Sequence, residues 1–152
     1  MSLLVLVIAA FMLLELTNIL TLYFKKDSTK ANGVGVFKAW EKSKSDSEIN
    51  DFVKYLINWV AGTKLIFISL LTVILIFGSP SLHPWVLLAM IISIASFYVG
   101  LFPLARKMDR EDMLNPKGYS KTLAGMITVF IIIFLILYLW PFIIPFPMPS
   151  FW

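Results

Sequence analysis

Residues 3–24 read LLVLVIAAFMLLELTNILTLYF, 22 residues with a single charge, Glu15. A helix crosses a bilayer core of ~30 Å with about 20 residues, so this stretch is long enough to span once. Three further stretches match it. Residues 55–77 carry one charge, Lys64, and residues 85–105 and 123–140 carry none. A spanning segment must satisfy its own backbone polar groups, which leaves helices or a closed barrel. Barrel strands alternate apolar and polar residues over about 10 positions. The runs LLVLVIAAFMLL and TVFIIIFLILYLW show no alternation. The sequence therefore predicts an all-α integral membrane protein: one domain, residues 1–152, of four transmembrane helices in an antiparallel bundle.

Composition agrees. The chain is 59% hydrophobic and 14% charged, against roughly 45–50% and about 25% for a soluble domain. The first run lacks a basic leader and a small-residue cleavage site and is expected to be a retained helix. With no cysteine and a single histidine, His83, thiol catalysis, Cys-ligated metal and a bis-His haem are excluded. No P-loop, dinucleotide fingerprint or hydrolase elbow occurs. No catalytic residue, metal or cofactor is expected.

Charge sets the expected orientation. Seven of the 13 basic residues lie in residues 25–54: Lys25, Lys26, Lys30, Lys38, Lys42, Lys44 and Lys54. Arg106, Lys107, Arg110, Lys117 and Lys121 lie in residues 106–122, and residues 78–84 hold no charge. The positive-inside rule places the two basic loops in the cytoplasm and both termini outside, in a multi-pass protein of the plasma membrane. Lys54, Arg106, Lys107 and Arg110 are candidates for contact with anionic headgroups. Acidic residues interleave with the basic ones, which argues against a nucleic-acid partner.

Within the first loop, KKDSTKANGVG has linker composition. VFKAWEKSK, with Val36, Phe37 and Trp40 on one side, predicts a short amphipathic helix with Trp40 at headgroup level. Ser45 with Glu48 predicts a capping box opening a helix from about residue 46 to residue 77. The third helix is expected to run from Pro84 through ARKMDREDML and to end at a type I turn, Asn115-Pro116-Lys117-Gly118. The fourth starts near Ser120. Four prolines in WPFIIPFPMPSFW should end it, leaving the aromatics at the outer interface or in a neighbouring subunit's groove.

Polar residues inside the spans are the leads to function. Glu15 and Lys64 each lie nine residues from the basic end of their runs, so antiparallel packing puts them at one depth. Asn18, one turn away, can join them. A helical wheel groups Lys54, Asn58, Ala61, Ser69 and Thr72 on one stripe of the second helix and turns Lys64 about 120° from Asn58. Pairing with Glu15, pairing elsewhere and snorkelling toward headgroups all stay open for Lys64. Glu15 is paired, neutral or in contact with water. Ala89, Ser93, Ser96 and Gly100 form a small-residue stripe suited to close helix packing, within the chain or between subunits.

In size, span number and long first loop the chain resembles the membrane-associated eicosanoid and glutathione-metabolism enzymes. That family carries an arginine- and glutamate-rich stretch at the start of its second helix, which binds the glutathione thiol donor. The matching stretch here, SEINDFVKYLINW, has no arginine, so no family residue carries over.

Three functions fit these features. The first is a non-enzymatic accessory or assembly protein that associates with itself or a larger membrane complex. The second is a small oligomeric channel or transporter lined by Glu15, Asn18, Asn58 and Lys64. The third is an enzyme on a lipophilic substrate, with Lys54, Asn58, Arg106 and Arg110 holding an anionic group.

Overall fold

A computed structural model describes residues 3–30 and 32–143. The described elements are α1 (Leu3–Phe24), α2 (Lys38–Ser43), α3 (Ser47–Phe77), α4 (His83–Ala95), α5 (Leu101–Arg110) and α6 (Tyr119–Ile143). Single 3-10 turns at Val34–Val36, Pro80–Leu82 and Ser96–Tyr98 join them. Four segments are long and apolar enough to cross a membrane: Leu3–Phe24, Ser47–Phe77, Pro80–Arg110 and Tyr119–Trp140. The protein is thus all-α with four candidate spans.

The closest helix pairs are α1 with α3 and α4 with α6. On α1 the positions Leu4, Ile8, Phe11, Glu15, Asn18 and Leu22 step alternately by four and three residues; the four apolar ones are buried. On α3 the positions Ile57, Ala61, Lys64, Ile68 and Leu71 step the same way, and again the apolar ones are buried. This is the spacing of a coiled-coil seam, in which a stripe repeating every 3.5 residues stays against its partner. Leu22 clusters with Ile57 and Ala61, whereas Leu4, Ile8 and Phe11 cluster with Leu71. The two helices therefore run antiparallel, and their seams place Glu15 level with Lys64. At Gly62 an added Cβ would lie in ordinary contact with the Tyr23 hydroxyl, at 3.6 Å.

The other half of the core joins α1 to α4 and α6. Leu87, Met90 and Ile91 of α4 and Phe134 and Leu137 of α6 pack with Leu4, Ile8 and Phe11. Phe11 meets Phe130 and Phe134 edge-on, at centroid distances of 5.4 and 5.6 Å, the geometry favoured by the ring quadrupole.

The polar end departs from expectation in several places. Residues 25–30 and 32–37 do not form a loose linker. Gly35 donates its amide to the carbonyls of Lys26 and Ser28. An added Cβ would stand 2.1 Å from the Asp27 carbonyl oxygen, so only glycine fits there. Trp40 does not face outward. It is buried against Leu22, Ile57 and Ala61, and its Nε1 donates to Asp27 Oδ1 at 2.7 Å. The loop is also clasped to residues 112–115. Phe37 bridges Leu114 in antiparallel fashion, with Lys38 N to Met113 O at 2.9 Å and Asn115 N to Val36 O at 2.8 Å. A Lys38–Asp112 ion pair at 2.8 Å flanks the bridge.

Asp46, not Ser45, caps α3, because its carboxylate accepts the Glu48 and Ile49 amides while the Ser45 hydroxyl donates back to Lys42 O. The third span is not one helix. It breaks at Ser96–Tyr98, where the Ser96 hydroxyl takes up the Ser93 carbonyl and Tyr98 reaches the Ala124 carbonyl and Thr128 hydroxyl of α6. At 1.5 Å per residue, α4 alone covers only about 20 Å, so the span needs the turn and part of α5. The turn before α6 is not type I either. The Asn115–Pro116 peptide is cis, and the Gly118 amide that would close a type I turn donates to Asp109 instead. Finally, α6 runs through Pro141 to Ile143, so the first of the four prolines does not stop it. The rest of the aromatic, proline-rich tail lies outside the described residues.

Candidate functional site

Two groups of polar side chains stand out, one inside the spans and one at their basic end. Inside, Lys64 Nζ donates to Glu15 Oε2 at 2.5 Å, and Asn18 Nδ2 approaches Glu15 Oε1 at 3.4 Å. The pair sits nine residues from Phe24, about 14 Å along α1, among apolar neighbours on both helices. Two opposite charges at that depth neutralise each other, which removes most of the cost of either alone. Lys64 stands at the edge of its seam. Its side chain is 32% exposed and that of Glu15 19%. Val60 and Phe67, one turn to either side of the half-buried Lys64, are exposed.

Asn58 does not join this group. It is exposed on α3, as is Ser69, whereas Ala61 from the same wheel stripe is fully buried. The stripe drawn by polarity is therefore not the face that meets α1. Lys54 pairs with Asp51 at 3.0 Å on the exposed surface of α3. Ala89, Ser93, Ser96 and Gly100 are all exposed, and α4 meets the core with Leu87, Met90 and Ile91 instead. An added Cβ at Gly100 would meet nothing within 4 Å.

At the basic end, α5 and the start of α6 enclose an open cleft of about 650 Å³. It is lined by Phe102, Arg106, Asp109, Arg110, Lys117 and Lys121, with Gly118 and Ser120. Asp109 organises its floor. One carboxylate oxygen accepts the Gly118 amide at 2.8 Å. The other accepts the Ser120 hydroxyl at 2.6 Å and the Ser120 amide at 3.2 Å. This supplies the cap that the first turn of α6 requires, from another helix rather than from its own N-cap residue. Asp109 lies beyond the apolar part of its span. The Ser120 hydroxyl, and then the Gly118 amide, hold its carboxyl below the ordinary carboxylate range. Among the described residues, Arg106, Arg110 and Lys121 take part in none of the ion pairs. Lys107, 3.9 Å from Glu111, does not line this cleft but an adjoining one that shares Phe102, Arg106 and Arg110.

The structure thus brings Glu15, Asn18 and Lys64 together, and Arg106 with Arg110. It leaves Asn58 and Lys54 apart from both groups, and places Lys107 in a cavity that adjoins the arginines. Lys117, Lys121 and Ser120 have no site role in the sequence reading, and Asp109 has none beyond a solvated helix end. Their signal was the reversal at Asn115–Gly118, which folds one short basic segment back on another. Among the described residues no group of three His, Asp or Glu side chains could hold a metal.

Neither a protein-family model, nor a curated protein, nor a solved structure matches this chain. The functional reading therefore rests on the chain's own geometry.

Proposed function

We propose that this chain is a non-enzymatic, self-associating membrane subunit, inserted with both basic loops in the cytoplasm and both termini outside. The observation that carries the reading is the Glu15–Lys64 pair. It is satisfied within one chain, as a structural brace would be, yet its Lys64 side lies open at mid-span between Val60 and Phe67. Polar side chains in a bilayer face protein or a water-filled cavity rather than lipid. A second copy covering the α3 edge at Val60, Lys64 and Phe67 meets that requirement. A transport role asks Glu15 or Lys64 to exchange partners, whereas here each holds the other.

The test is reconstitution of the purified full chain at varied protein-to-lipid ratio, with energy transfer between donor- and acceptor-labelled copies. Self-association predicts transfer that rises to saturation and falls on dilution with unlabelled protein. Transfer no greater than that of randomly mixed monomers would remove the reading. Solute flux or substrate turnover by the purified protein alone would replace it with a different one.

A further inference from the structure

We propose that the cleft between α5 and α6 binds the phosphate group of an anionic phospholipid. Four cations, Arg106, Arg110, Lys117 and Lys121, surround it against one carboxylate, Asp109. That carboxylate already accepts three donors from Gly118 and Ser120. The backbone amides at the start of α6 are therefore occupied, and an arriving anion is held by side chains. Two arginines one turn apart on α5 suit this role, since a guanidinium offers paired donors matched to phosphate oxygens. Arg106 follows directly on Ala105, the last residue of the apolar stretch, so the cleft lies at headgroup level.

The apolar flank points to a lipid rather than to free phosphate. Phe102 lines the cleft, and Leu101 and Leu104 of the same short helix are 55% and 54% exposed. A helix with exposed apolar residues on one part and arginines on another matches the boundary between acyl chains and headgroups. A free anion needs no such flank.

The test is native mass spectrometry of the full chain in detergent, titrated with phosphatidylglycerol, phosphatidic acid or phosphatidylcholine, and separately with inorganic phosphate. Phosphatidylglycerol and phosphatidic acid should stay bound, and phosphatidylcholine should not. The double variant Arg106→Gln/Arg110→Gln should lose affinity by at least about tenfold, since each charge-assisted contact contributes about that much. Lys42→Gln, on α2 and not part of the cleft lining, should behave as wild type. All of these side chains are exposed, so the fold is not at stake, and Arg106→Lys should recover part of the loss. Equal retention of phosphatidylcholine, or unchanged affinity in the double variant, would overturn the proposal. So would saturation of the cleft by inorganic phosphate with no lipid retained. The readout counts lipids per chain and does not depend on subunit association.

Discussion

Neutralising one member of the Glu15–Lys64 pair is the perturbation the structure predicts most sharply. Glu15→Met leaves the Lys64 ammonium without a carboxylate at mid-span, and Lys64→Met leaves the Glu15 carboxylate beside Asn18 alone. Breaking a fully buried pair from one side costs about 3–5 kcal/mol, because the remaining charge is uncompensated. A charge at the centre of a spanning helix costs about 2.5–3.5 kcal/mol on insertion scales. The side chains here are 32% and 19% exposed, which places each single variant at the lower end, about 3 kcal/mol. The double variant Glu15→Met/Lys64→Met replaces both charges with apolar side chains and should fall within about 1 kcal/mol of wild type, since such replacements are often neutral. The assay is unfolding by SDS in mixed micelles, followed by tryptophan emission, as a double-mutant cycle. Independent sites add to within about 0.5 kcal/mol. A double variant as unstable as the two singles together would refute the pairing and with it the α1–α3 register.

Other outcomes follow from particular residues. Gly35→Ala drives a Cβ to 2.1 Å from the Asp27 carbonyl and should cost about 3 kcal/mol, the upper end for overpacking. It should open residues 25–37 to protease, whereas Gly100→Ala, with nothing within 4 Å, should leave digestion unchanged. Asp109 has a folded pKa below its ordinary 3.8. Its contribution to stability is therefore complete above that value and is lost as the pH falls through the lower folded one. The amide shifts of Gly118 and Ser120 should titrate below pH 3.8, and a midpoint at or above it would contradict the cap.

The four candidate spans were legible because apolar run length alone marks them. The α1–α3 seam was legible only through spacing. Ile57, Ala61, Lys64, Ile68 and Leu71 carry it, but a wheel drawn by polarity selected Lys54, Asn58, Ala61, Ser69 and Thr72. In water, polarity marks the outer face of a helix; in a bilayer the outer face is apolar too, so that contrast disappears and the four-three step remains. The break at Ser96–Tyr98 had its signals in Gly100 and Pro103, since a proline inside a helix lacks an amide and clashes with the carbonyl four residues back, here that of Val99. The long apolar run hid them, and the Tyr98 contacts with Ala124 and Thr128 needed the fold. Loop 1 looked like a linker because Gly33 and Gly35 signal flexibility. Here they serve close approach, with added Cβ atoms meeting carbonyl oxygens of Ser28 and Asp27 at 2.2 and 2.1 Å. The basic cleft was half visible. Arg106 and Arg110 were read as headgroup ligands, but Lys117 and Lys121 join them only once the Asp109 cap fixes the turn before α6.

The chain contains no cysteine, so a single introduced thiol reports cleanly on association. Phe67→Cys places one beside Lys64 on the open edge of α3, and Ile66→Cys places one on the opposite side of the same helix. Oxidation in intact membranes should give a covalent dimer with Phe67→Cys and little or none with Ile66→Cys. Monomer only from both, or equal cross-linking from both, would contradict a subunit that associates through the face bearing the Glu15–Lys64 pair.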